Sequence, residues 1–146
     1  MPAEGTAWAR VVDASALGAV FFDEPEADQV VDRLKEVILV APAMIRFELA
    51  NICWKKIRRE PERRDALLAA HALAEQVAIH EVEVRFGEVL DLAVEKGITA
   101  YDASYLWLAR LLDLDLVTLD GGLAQAATEE RSDENSPSDS NGRFPE

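Results

Sequence analysis

Cys53 is the only cysteine in the chain, so no internal disulfide can form. It lies in an apolar stretch of helical pattern, where a buried, reduced thiol is expected, and the cytoplasm follows as the expected compartment. Long apolar runs are also missing. Glu, Asp, Lys or Arg interrupts every helix-like stretch, which leaves nothing long enough to span a bilayer. The opening residues, MPAEGTAWAR, have neither a basic start nor an apolar core, which argues against export. There is no Gly-rich phosphate loop of the Walker type. His71 and His80 stand at no metal-binding helical spacing and have no Cys–His pattern beside them, which sets a zinc site aside. Cations are scarce too: 15 Lys and Arg face 28 Asp and Glu, a net charge of -13. That balance works against nucleic-acid binding, because phosphate affinity ordinarily comes from Lys and Arg.

What remains is enough for one folded domain, since 146 residues that are 49% apolar can bury a real core. Residues 8–13 read as a buried strand centred on Val11 and Val12, followed by helices over 14–22 and from Pro25 to Lys35. Val37–Val40 reads as a second strand. Apolar residues at 44, 45, 49, 52 and 53 then mark one face of a helix over 43–59. A further helix runs from Pro61 to Val77, a brief strand covers 78–82, and a helix over 84–95 stops at Gly97. Thr99 caps a helix to Leu112, and Leu114–Leu119 is the last strand. Strands alternating with helices predict a parallel sheet with helices on both faces and a functional site beyond the carboxyl ends of the strands. After Thr128 the chain reads EERSDENSPSDSNGRFPE, with one aromatic and no aliphatic residue. The expected division is a folded domain over 1–127 and a disordered acidic tail over 128–146. The tail carries part of the negative charge, but the folded part stays acidic.

Four acids stand where such a sheet would present them at one edge. Asp13 closes the first strand, Glu48 interrupts the buried stripe of the third helix, Asp102 opens the helix after Thr99, and Asp120 ends the last strand. Hard oxygen ligands gathered in this way suit Mg²⁺ or Mn²⁺, and such ions serve phosphoryl transfer best. Bound cations would also reverse the local sign of charge. Three of the four have an ordinary alternative. Asp13 could cap a helix, Asp102 could complete a capping box with Thr99, and Asp120 could belong to a turn before Gly121-Gly122. Glu48 differs, because Met44, Ile45, Leu49 and Ile52 surround it at helical offsets, and a buried carboxylate needs a cation or a proton. Arg46, two positions away, faces elsewhere, so the alternative for Glu48 is an ion pair with a distant base.

Around the quartet, Ser15 and Thr118 lie two residues from Asp13 and Asp120 and could position a metal-bound water or a phosphate. Asn51, one turn after Glu48, could supply a neutral oxygen or simply face solvent. Lys55, Lys56, Arg58, Arg59, Arg63 and Arg64 form a basic cluster beyond Glu48 that could hold an RNA backbone, or be a solvated helix end. The helices over 15–35 and 43–59 also carry more apolar residues than one sheet face needs, among them Phe21, Phe22, Phe47 and Trp54. The surplus suggests a contact surface.

These residues together resemble the PIN-domain family, and more narrowly the VapC-type toxins of toxin–antitoxin pairs. VVDASAL at 11–17 is similar to that family's opening strand with its Asp and following hydroxyl. Glu48 in IRFELANI matches its central helical acid, and ITAYDASYLWLARLLDLDLVTLD at 98–120 matches its last two acidic positions. The resemblance covers about residues 8–127 and implies a three-layer α/β/α domain with a central parallel sheet. It further implies an endoribonuclease using Mg²⁺ or Mn²⁺, often cutting structured RNA such as tRNA. Neutralisation by a cognate antitoxin and a homodimer as the basic unit are also implied. The family's acids carry over to Asp13, Glu48, Asp102 and Asp120, and its hydroxyls to Ser15 and Thr118. Two rivals stand beside this reading. An aspartate-nucleophile phosphatase would want a second acid two residues after Asp13, where Ser15 stands instead. A binding module that keeps the fold without activity would have little use for an intact acid quartet.

Overall fold

Four short aliphatic runs pair into one sheet in the computed structural model, which describes residues 8–134. β1 (Ala9–Val12), β2 (Ile38–Pro42), β3 (Ile79–Val82) and β4 (Leu116–Val117) lie in the order β3-β2-β1-β4, and every pairing is parallel. Val11, Val12 and Val117 are fully buried, as expected for strands covered on both faces. From β1 to β2 to β3 the chain steps in one direction, through α1 (Ala14–Phe21), α2 (Ala27–Leu34), α3 (Ile45–Arg59) and α4 (Arg64–Glu75). From β3 it returns past β2 and β1 to β4, through α5 (Phe86–Lys96) and α6 (Ala100–Leu112). Parallel crossovers are right-handed, so reversing the direction moves the helices to the opposite face. The result is the expected three-layer α/β/α architecture, with α6 packed against β1 and β2. The reversal falls between β1 and β4, and there the carboxyl ends of the strands open a crevice.

The core gathers Val11, Val12, Val40, Ile45, Leu49, Leu106, Leu108, Val117 and Leu123 across all three layers. A satellite of Phe22, Cys53 and Leu67 joins α1, α3 and α4. Cys53 is buried, as its apolar context indicates, with its thiol near the Leu67 carbonyl. Phe22 is buried as well, and therefore belongs to this satellite and not to an open contact surface. No described helix is long and apolar enough to cross a membrane.

Most boundaries fall within two residues of those read from the sequence, and the exceptions have physical causes. Pro61–Arg63 is a turn of 3-10 helix ahead of α4, because Pro61 at the first position has no N–H to extend a helix backward. β4 is only two residues long, since the sheet pairs with Leu116 and Val117 alone. The largest difference is α7 (Gly121–Glu134), where a turn at Gly121-Gly122 stands only as an alternative and an unstructured tail from 128 is expected. The Asp120 carboxylate caps this helix by accepting from the Leu123 N–H at 2.8 Å, while Leu123 and Ala126 are buried. The cap and the two apolar contacts overcome the low helix propensity of the glycines. Residues 135–146 of the expected tail lie outside the described residues.

Candidate functional site

Asp13 is the first residue beyond β1, and its backbone is extended so that its side chain turns back over α1 as the N-cap. It is 4% exposed. One carboxylate oxygen accepts from the Ser15 hydroxyl at 2.7 Å and the Ala16 N–H at 3.0 Å; the other accepts from the Thr118 hydroxyl. Both hydroxyls are themselves held: Ser15 Oγ accepts from the Leu119 N–H and Thr118 Oγ1 from the Asp120 N–H, each at 3.0 Å. Ser15 and Thr118 thus stitch the end of β1 to the segment beyond β4 and fix Asp13 across the crevice. Burial pushes the Asp13 pKa up, its three hydrogen bonds oppose that rise, and the charge of Asp120 adds to it.

Glu48 lies in the first turn of α3 and points toward α6, where its Oε1 accepts from the Tyr105 hydroxyl at 2.7 Å. A second contact, from the Ser104 hydroxyl to the Met44 sulfur at 3.8 Å, holds the starts of the two helices together. Burial raises the Glu48 pKa, the Tyr105 hydrogen bond opposes it, and the charges of Asp13 and Asp102 raise it further. The alternative partner for Glu48, a distant base, is absent among the described residues. Arg46 instead pairs with Glu81 at 3.3 Å.

Asp102 stands in the first turn of α6, where the Thr99 hydroxyl caps the helix by accepting from the Asp102 N–H at 3.1 Å. Burial raises its pKa, as do the charges of Asp120 and Asp13, against a smaller lowering by the Thr99 hydroxyl. Asp120 spends one oxygen on the cap of α7.

Charge therefore links the four acids, Asp13 and Asp102 to each other and each to Asp120 and Glu48, and none forms an ion pair among the described residues. No three of the described carboxylates, histidines or cysteines are drawn tightly enough to enclose an ion by themselves. The set nevertheless fits a hard divalent cation by its chemistry: all ligands are oxygen, one acid is almost fully buried, and three hold raised pKa values with no base to offset them.

Other candidates divide. Asn51 is exposed on α3 and makes no hydrogen bond to the quartet, so it stands apart from it. Within the basic cluster, Lys56 pairs with Glu24 at 2.6 Å, Arg63 with Glu60 at 2.7 Å and Arg64 with Asp65 at 4.0 Å. Lys55, Arg58 and Arg59 have no ion-pair partner among the described residues, and the Arg58 guanidinium lies over the Trp54 ring, 4.9 Å from its centroid. Tyr105 is the functional-site residue that the sequence reading missed. The usable signal was its place three residues after Asp102 in an apolar helical run, where a phenol hydroxyl needs an internal partner.

The sequence model of the PIN domain matches residues 10–129. The chain belongs to the PIN domain family. This PIN domain is 32% identical over 122 residues to Ribonuclease VapC3 of Pyrobaculum aerophilum, covering 79% of the chain and 92% of that protein. It is 33% identical over 112 residues to Exonuclease VapC9 of the same organism, covering 75% of the chain and 79% of the relative. Among solved structures, PAE2754 from Pyrobaculum aerophilum superposes with a TM-score of 0.68 at 28% identity, covering 84% and 87% of the two chains. The Mycobacterium tuberculosis toxin VapC20, described as cleaving the sarcin-ricin loop, shares the fold at a TM-score of 0.59 and 17% identity, covering 81% and 95%. The relatives make this PIN domain one of the VapC type, and they support a nuclease toxin.

Proposed function

We propose that this PIN domain is a VapC-type ribonuclease that hydrolyses RNA phosphodiester bonds with Mg²⁺ or Mn²⁺. The observation that carries this is the acid quartet at the β1/β4 crevice, mutually repelling and unpaired by any base, in a chain related to a protein named as a ribonuclease. Asp13, Glu48, Asp102 and Asp120 would hold the metal, which when bound supplies a polarised water and a counter-charge for the phosphate. The protein's own part is positioning. Ser15, Thr118 and the Ala16 N–H fix the Asp13 carboxylate, and the Tyr105 hydroxyl fixes Glu48. Within the basic cluster, Lys55, Arg58 and Arg59 are the cations left available for phosphate contacts.

Cleavage within the strand is the leading mode, and structured RNA such as tRNA is the first substrate to test. Attack from an end is the second reading, favoured by the relative named as an exonuclease. Partners follow from the same kinship: a cognate antitoxin in the cytoplasm, and a second copy of the chain. The surface best suited to the second copy is the exposed apolar row Phe86, Leu90 and Val94 on α5. The decisive experiment incubates the purified chain with total RNA, tRNA and a circularised RNA, in Mg²⁺, in Mn²⁺ and in chelator. Metal-dependent cutting that Asp102→Asn abolishes is the expected result, and cutting of the circle selects the internal mode. Activity that survives chelator, or that Asp102→Asn retains, would overturn the proposal.

A further inference from the structure

Two adjacent rows of residues run along α3, one on its outer side and one that begins at the site. Phe47, Asn51, Trp54 and Arg58 are spaced at i, i+4, i+7 and i+11, and all four are exposed. Phe47 is 84% and Trp54 52% exposed, which is unusual for rings of that size. The adjacent row begins with the half-buried Glu48, passes Ile52, which packs on the core, and emerges at i+7 and i+11 with the exposed Lys55 and Arg59. At 1.5 Å per residue these two cations lie about 10 and about 16 Å along the helix from the site acid. One ridge thus offers aromatic faces with a guanidinium stacked on one of them, and the other leads unpaired positive charge away from Glu48.

We infer that this face of α3 is a track for an unpaired RNA strand entering the acid site, with Phe47 and Trp54 stacking bases while Lys55 and Arg59 contact phosphates. The inference rests on the ribonuclease reading above and narrows its substrate to RNA with unstacked bases. Its physical basis is that single-strand grooves combine cations that follow the backbone with aromatic or guanidinium planes that receive base faces. A duplex keeps its bases stacked inside and cannot use the rings. Charge complementarity favours RNA over a protein occupant, because cations without ion-pair partners gather on this helix although the chain as a whole is acidic. The make-up of the ridge agrees. Asn51 and Arg58 break its apolar positions apart, whereas the α5 row of Phe86, Leu90 and Val94 is uniformly apolar and bordered by Glu88, Asp91 and Glu95. Tyr101, exposed and immediately before Asp102, offers a further ring beside a second site acid.

The test measures binding by fluorescence anisotropy, in chelator so that nothing is cut, with a labelled oligouridylate and with a blunt RNA duplex. The wild type should prefer the single strand. Phe47→Ala and Trp54→Ala should each weaken oligouridylate binding roughly tenfold, while Phe47→Tyr and Trp54→Phe retain it. Lys55→Ala with Arg59→Ala should lower affinity for both RNAs and make the salt dependence shallower by about one to two in slope. Both rings are exposed, so unchanged thermal melts confirm intact folds. Wild-type affinity in the alanine variants would overturn the track, as would a loss of solution mass in those variants with RNA affinity unchanged, which would make the face a protein interface. Cleavage of total RNA by the wild type in Mn²⁺ is run in parallel. If cleavage is present and the alanine variants keep the wild-type KM, the track fails and the ribonuclease reading stands; if cleavage is absent, the ribonuclease reading itself has failed.

Discussion

Tyr105→Phe removes one oxygen atom and leaves the packing of α6 unchanged, so it isolates the hydrogen bond that holds Glu48. The Tyr105 hydroxyl donates to Glu48 Oε1 at 2.7 Å. Burial and the Glu48 charge both raise its pKa, so it stays protonated at all working pH. A hydrogen bond to a charged group contributes about 1.5–3 kcal/mol. Glu48 is only half-buried, and water can replace part of that in the variant. The net expectation is a loss of about 1.5 kcal/mol near neutral pH, which for a chain of this length lowers Tm by about 3–6 °C. The pH dependence has a definite sign. Without its donor Glu48 holds its proton to higher pH, so the gap between wild type and variant widens as pH rises through the Glu48 titration and narrows in acid. Metal-free calorimetric melts between pH 4 and 8 measure both effects, and the same substitution in a Glu48→Ala background should cost much less. A melt unchanged by Tyr105→Phe, or a gap independent of both pH and Glu48, would refute the reasoning.

Three further outcomes follow from the same geometry. Asp13, Glu48 and Asp102 all have folded pKa values above their ordinary ones, so the stability they allow is full below about pH 4 and is lost as pH rises through the raised values. Metal-free melts should therefore decline from pH 4 toward neutrality, Mn²⁺ should restore stability at neutral pH, and Asp13→Asn should blunt both trends; a flat profile without metal would refute this. At Asp120, Asn can still accept from the Leu123 N–H, so Asp120→Asn should keep the α7 cap and the melting temperature but lose RNA cleavage. Asp120→Ala should lose the cap as well, at about 1 kcal/mol, and equal melts for the two variants would show that the cap contributes nothing. Leu90→Glu together with Val94→Glu on α5 should lower the solution mass of the chain without shifting its melt by more than about 0.5 kcal/mol. A wild type already monomeric at high concentration would remove the α5 contact.

The sequence alone determined what depends on local order along the chain. Alternating strands and helices, with Gly97 and Thr99 as punctuation, fixed a parallel α/β domain, because helix caps and apolar spacing are properties of neighbouring residues. The carboxyl-end rule then directed Asp13 and Asp120 to one edge, since a parallel sheet presents all its strand ends together. The tertiary structure alone decided the rest. That β4 pairs with β1, and so brings Thr118 onto Asp13 across 105 residues, depends on strand order, which no local pattern encodes. The partner of Glu48 is the Tyr105 hydroxyl and not a base, because only the packing of α3 on α6 decides which polar atom reaches the buried carboxylate. The basic cluster looked uniform as a run of residues; folding assigned Glu24, Glu60 and Asp65 to half of it and left Lys55, Arg58 and Arg59 without acids. Two glycines that could have made a turn form the start of α7, because Asp120 caps the helix and α6 packs against it. Local chemistry set which residues could act, and long-range packing set which of them meet.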